Sequence, residues 1–173
     1  MREPTELGGK LVGKVKGLGK RLQGYRGVFR RLAEDHGELS TLVLRLQAAT
    51  GEAPARRELF PLIRRQIQAH LRAEQQELHA PLRRFRQARL LLGQQVEEQR
   101  RVEGLLEQLA VTDHSTPAWS RWFEDLARLW GEHVENEEEQ LFPLARDLLP
   151  PDELDLMAER FLRTREGFLH QLP

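Results

Sequence analysis

The chain has 173 residues, with 27 Lys and Arg against 27 Asp and Glu, a formal net charge of zero and no cysteine. Balanced charge leaves no global field to draw nucleic acid, and the missing thiols exclude disulfides, thiolate metal sites and cysteine nucleophiles. No apolar run approaches the roughly 20 residues of a membrane-spanning helix, and no signal-peptide core is expected, so cytoplasm is the default compartment.

Hydrophobic residues are 39% and charged residues 31%, which suits one surface-rich domain with a core of its own. Leu, Arg, Glu, Gln and Ala dominate, all good helix formers. β-Branched residues never alternate over a long run, so the expected fold class is all-α. Residues 1–20 stand apart as a basic segment punctuated by Gly8, Gly9, Gly13, Gly17 and Gly19. One reading is a contact with an anionic membrane or partner. The other is a frayed tail, which the glycines favour because they weaken any helix.

Residues 21–173 read as a single helical bundle domain. The first helix is expected over 21–49, with Leu32, His36, Leu39 and Val43 at i, i+4, i+7 and i+11 on its apolar side. Gly51-Glu52-Ala53-Pro54 closes it. The second helix is expected over 55–78, with Pro61 early enough to be tolerated and Pro81 ending or kinking it. His70, Glu74 and Glu77 share a stripe there, since seven residues advance about 700°. His79 falls about 180° from His70 and is expected to point away.

A third helix is expected over 82–110, with Val96, Gln99, Val102, Leu105, Leu106 and Leu109 inward. A polar loop follows, and Thr116 then caps a fourth helix whose first position is Pro117. That helix is expected over 118–148, its Trp119, Trp122, Phe123, Leu126, Leu129 and Trp130 leading to His133 and Glu137. A shorter fifth helix should occupy 152–172. Four long helices with short loops imply an up-down-up-down four-helix bundle with an extra C-terminal helix. In that arrangement the second and fourth helices run parallel, and their paired residues meet at similar depth.

The chemistry lies in a repeated spacing. His70-Leu71-Arg72-Ala73-Glu74 and His133-Val134-Glu135-Asn136-Glu137 each place an imidazole and a carboxylate on one helical face. Either pair alone would read as an exposed helical pair worth about 0.2–0.5 kcal/mol. Two pairs on inner stripes, joined by His36, read as one buried metal site. An iron pair in a bundle takes neutral imidazoles as terminal ligands and carboxylates as bridges. Glu74 and Glu137 are the expected bridges. His114 and His170 read as solvated. Glu138 and Glu139 read as mostly wet, with at most one of them supporting the site.

These residues resemble the hemerythrin-like, histidine-histidine-glutamate cation-binding family. Leu32-Ala33-Glu34-Asp35-His36 is similar to that family's Leu-x-x-Asp-His, and His133 to Leu144 is similar to its His-x-x-x-Glu-Glu-x-x-Leu-Phe-Pro-Leu. The resemblance covers roughly residues 25–150. It implies a bundle carrying a non-heme di-iron centre, with activities around oxygen, nitric oxide, peroxide or iron handling. There is one departure. Where the family has Glu-His on helix three, this chain has Glu98-Gln99. A neutral amide oxygen is a weak iron ligand, and Glu103 shares the face of Gln99. The vacancy can be met by water or Glu103 in a di-iron site, by a single metal, or by a degraded site.

The expected function is a non-heme iron protein that senses or handles a small diatomic or peroxide, or serves iron homeostasis. A peroxidase- or catalase-like activity is compatible with an open iron position. The alternatives are a mononuclear or zinc-stapled bundle with a structural or interaction role, and a membrane-peripheral helper acting through residues 1–20.

Overall fold

A computed structural model describes residues 22–49 and 53–172, and the basic segment at 1–20 lies outside them. Five long helices carry the described chain: α1 (Gly27–Ala48), α2 (Ala53–Glu74), α3 (Arg89–Val111), α4 (Pro117–Asn136) and α5 (Pro151–Gln171). There is no strand among the described residues.

α2 and α4 do not stop at those bounds. Each passes through one π-helical turn, Gln75–His79 in α2 and Glu137–Leu141 in α4, then resumes as Ala80–Leu82 and Phe142–Leu148. A π turn closes i→i+5 hydrogen bonds, so it inserts one residue into the α ladder and re-aims every side chain beyond it.

Thr116 caps α4 as expected, its Oγ1 accepting from the Trp119 N–H at 3.3 Å. Three boundaries differ from expectation. Pro61 lies well inside α2, because that helix begins at Ala53; it is exposed, so the carbonyl left without a donor faces water. The third helix does not start at 82. The chain turns at Arg83 and Arg84, makes one 3-10 turn at Arg86–Ala88, and only then enters α3. Pro81 ends the preceding helix close to where expected, but no glycine or proline lies within 83–88; burial of Leu82 and Ala88 on either side of the reversal overrides local helix propensity there. The fifth helix spans Pro151–Gln171 where 152–172 was expected, and at 21 residues it is slightly shorter than α1 at 22.

Packing divides the interior into two apolar clusters. One gathers Leu39, Val43 and Leu46 of α1, Phe60 to Leu71 of α2, Val102 to Leu109 of α3 and Trp119 to Val134 of α4. The other gathers Val28 to Ala33 of α1, Ala73 to Leu82 of the α2 run, Ala88 and Leu92, and Leu141 to Ala145 of the α4 run. α5 adds Leu154, Met157 and Phe161 to the second cluster and packs on α1 and α2. Between the clusters, at residues 35–36, 70–74, 95–99 and 133–138, the inward side chains become polar and charged. That belt is where the site lies.

Candidate metal centre

The belt holds a dense set of buried ionisable groups. His70, Glu74, His79, Gln99, His133 and Glu137 are each 0% exposed and His36 is 1% exposed. Two sets of ligand atoms converge within 4.8 Å of one another: His36, His70, His133 and Glu137 in one, and Glu74, His79 and Glu137 in the other. Glu137 belongs to both. Glu74 lies beside the first set, its Oε2 3.4 Å from His70 Nε2 and 3.5 Å from His133 Nε2. Thus α1, α2 and α4 bring together all five residues singled out from spacing.

The atoms facing this centre lack hydrogen bonds. His36 Nε2, His70 Nε2, Glu74 Oε2, both ring nitrogens of His79 and of His133, and both carboxylate oxygens of Glu137 are buried with no hydrogen-bond partner. Native interiors hold only about a few such groups per 100 residues, since each lost partner costs about 1–3 kcal/mol. A concentration of them on two carboxylates and four imidazoles is what a cation would satisfy. Imidazole nitrogen with carboxylate oxygen is a donor set suited to iron or zinc.

Supporting groups aim the rings. His70 Nδ1 lies 2.8 Å from Asp35 Oδ2, and a carboxylate accepts, so Nδ1 donates and Nε2 is turned to the centre. His36 Nδ1 does the same to Glu138 Oε1 at 2.9 Å. Asp35 is in turn held by Arg165 of α5, Nε to Oδ2 at 2.6 Å. Trp130 packs edge-on to His36 and His70 with ring centroids 5.8 and 5.6 Å apart. Phe142 stacks on His36 and Phe161 meets the edge of His70. Apolar rings therefore wall the polar belt.

Charge follows this geometry. Burial alone would raise the Glu74 carboxyl, but the facing imidazoles of His79, His133 and His70 hold it well below the ordinary carboxylate range. Burial would lower His36 and His133; the facing Glu137 and Glu138 instead raise His36 to about 9, and Glu74 with Glu98 raises His133 to about 10. Asp35 is kept low against its burial by His70 and Arg165. Facing acids thus hold positive charge on the belt.

Gln99 sits where the family resemblance puts a histidine, and its amide is fully used. Its Nε2 donates to Glu74 Oε1 at 3.0 Å, and its Oε1 accepts from Gln75 Nε2 at 2.6 Å. An ionised Glu74 can only accept, which fixes the amide this way round.

The structure does not bring Glu77 or Glu103 to the centre. Glu77 accepts from Arg160 Nε at 3.0 Å and Thr164 Oγ1 at 2.8 Å, tying α2 to α5. Glu103 is half-buried with Arg72 and Glu107 for charged neighbours, and burial pushes its carboxyl up. His79 reverses the sequence expectation. It lies inside, with Nε2 2.5 Å from Glu74 Oε1. On an unbroken α-helix five residues from Glu74 advance about 500°, far from the starting face. Across a π turn residue i+5 lies over residue i, which swings His79 in and Glu77 out. Of the acid run, Glu138 is the one member that supports the site: it is buried in the second π turn and holds His36, while Glu139 is exposed. The one hint in the sequence was Pro81, a residue that favours irregular helix where the run continues through it.

His114 is half-buried rather than fully solvated, and burial with Arg57 nearby lowers its pKa. Its ring meets the edge of Trp119, away from the centre. His170 is exposed as expected.

Residues 28–145 match the model of the hemerythrin HHE cation-binding domain. The chain belongs to that family. No curated protein and no solved structure matches it. HHE domains bind cations, and the His/Glu belt of this one can hold a metal ion. No helix among the described residues is long and apolar enough to cross a membrane.

Proposed function

We propose that this HHE domain holds a carboxylate-bridged di-iron centre and uses it, in the cytoplasm, to sense or handle oxygen, nitric oxide or peroxide, or to serve iron homeostasis. The observation that carries the reading is the convergence of buried, hydrogen-bond-free donor atoms from α1, α2 and α4 on one point between two apolar clusters. His36, His70 and His133 would be terminal ligands, and Glu74 and Glu137 would bridge. Bound iron supplies a reversible change of oxidation state and a labile position for a small ligand. The chain supplies the rest: Asp35 and Glu138 fix two rings through Nδ1, while Trp130, Phe142 and Phe161 keep water from them.

An up-down-up-down arrangement supports the same reading. α1 runs from the second apolar cluster to the first, α2 back again, α3 forward and α4 back. Each helix then crosses the belt once, and the two His-x-x-x-Glu units run in parallel.

The test is metal analysis of protein purified from iron-replete cells, paired with its ultraviolet–visible spectrum. About two irons per chain with oxo-bridge absorption supports the proposal. A second reading is favoured by the first ligand set alone. Three imidazoles and one carboxylate within 4.8 Å are a four-donor set that zinc takes readily. One zinc per chain and no response to oxidants would make the centre a structural staple.

A further inference from the structure

If helix three supplies no histidine, the second of two metals is short of an imidazole, and this chain offers one from elsewhere. We infer that His79, swung inward by the π turn of α2, is the imidazole ligand of the second metal position, in place of the helix-three histidine that Gln99 replaces. The inference rests on the metal-binding reading above and deepens it.

Three observations carry it. First, His79 is 0% exposed, its Nδ1 has no hydrogen-bond partner, and its Nε2 faces only the Glu74 carboxylate, at 2.5 Å from Oε1. A buried imidazole whose one polar neighbour is a carboxylate of the belt, and whose other nitrogen is unsatisfied, is costly where an apolar ring of that size would fill the space. Second, its Nε2 shares one locus with Glu74 and Glu137, the two carboxylates that also border the three-imidazole set. Two adjoining loci with common carboxylates are the ground plan of a bridged pair. Third, the competitor is disabled. The Gln99 oxygen is taken by Gln75, and its nitrogen is committed to Glu74. Gln99 thus orients a bridging carboxylate and is a positioning residue, not a ligand.

The two positions are consequently unequal. The first draws on His36, His70 and His133; the second has one imidazole, His79, among carboxylates. An oxygen-rich position with a single nitrogen is the harder and the weaker for late divalent metals, so the second ion should enter last and leave first.

The experiment is an anaerobic titration of the full chain with Co(II), followed by its visible absorption, for wild type, His79→Gln and His79→Leu. Circular dichroism checks folding, and His79→Gln serves if His79→Leu fails to fold. Wild type should take up about two equivalents in two steps. The His79 variants should keep the tight step and lose the weak one, by about tenfold or more in affinity. The rise in melting temperature on adding cobalt should shrink in parallel. A folded variant that keeps both steps at wild-type affinity overturns the inference, as does a wild type with a single step that His79→Gln leaves unchanged. Neither of those results touches metal binding itself; only a wild type that takes up no cobalt and no iron would sink that reading.

Discussion

His70 can present Nε2 to the centre because Asp35 holds the opposite ring nitrogen, and Arg165 holds Asp35. This chain of contacts makes Asp35→Asn a sharp test at the residue scale. The amide cannot serve as an anionic anchor, so the ring loses basicity and its fixed orientation. Metal affinity should fall by about 10- to 100-fold, read by competition with a chelator; unchanged affinity would mean that Asp35 only braces α5. Glu138→Gln should act in the same direction through His36. The residues that do the aiming were only half legible. His36, His70, Glu74, His133 and Glu137 could be picked out because i, i+4 spacing fixes a face before the fold is known. Asp35 stood beside His36 in the family-like segment, but its partner His70 is 35 residues away. Nothing local could pair them.

Among the elements, the two π turns decide which side chains the belt receives. Uniform α periodicity puts Glu77 on the inner stripe and His79 outside, and one inserted residue exchanges them. Such an insertion leaves no mark in the pattern of apolar residues. It shows only where helices cross and buried polar groups demand partners. The entry to α1 gives an element-scale prediction. Gly27 adopts φ +53°, and a Cβ there would lie 2.8 Å from the Leu154 backbone of α5. Gly27→Ala must strain the turn and push α5 from α1, lowering stability by about 1–3 kcal/mol in chemical denaturation. Its metal content, when folded, should match wild type, because the belt lies on the far side of Phe29 and Leu32. Another concerns the opposite end of the molecule. Arg56 donates to the His114 carbonyl at 2.7 Å and to Ser120 Oγ at 2.9 Å, and stacks over Trp119. Arg56→Met should cost about 1–3 kcal/mol and leave metal binding intact.

For the molecule as a whole, the belt is an energetic liability until its donors are satisfied, and the two apolar clusters on either side are what hold it closed. A cation bound to the folded chain and not to the unfolded one adds about 2.7 kcal/mol at a hundredfold excess over Kd. Chelation of the purified protein should therefore lower the melting temperature by about 5–10 °C, reversibly on adding metal back. The same temperature with and without metal would place the belt outside the stability of the fold. Helical class was readable here from composition alone, since strong helix formers dominate and strand patterns are missing. The reversal at residues 83–88 was readable only in part: Pro81 signalled the end of the second helix, but burial of Leu82 and Ala88, with no turn residue between them, delays the third helix to Arg89.

The most direct test is metal content of wild type beside a Glu74→Ala/Glu137→Ala double variant, both purified from iron-replete cells and both shown to be folded. The account predicts about two metal ions per chain in wild type and essentially none in the variant. Equal metal in the two proteins, or none in wild type, would contradict it.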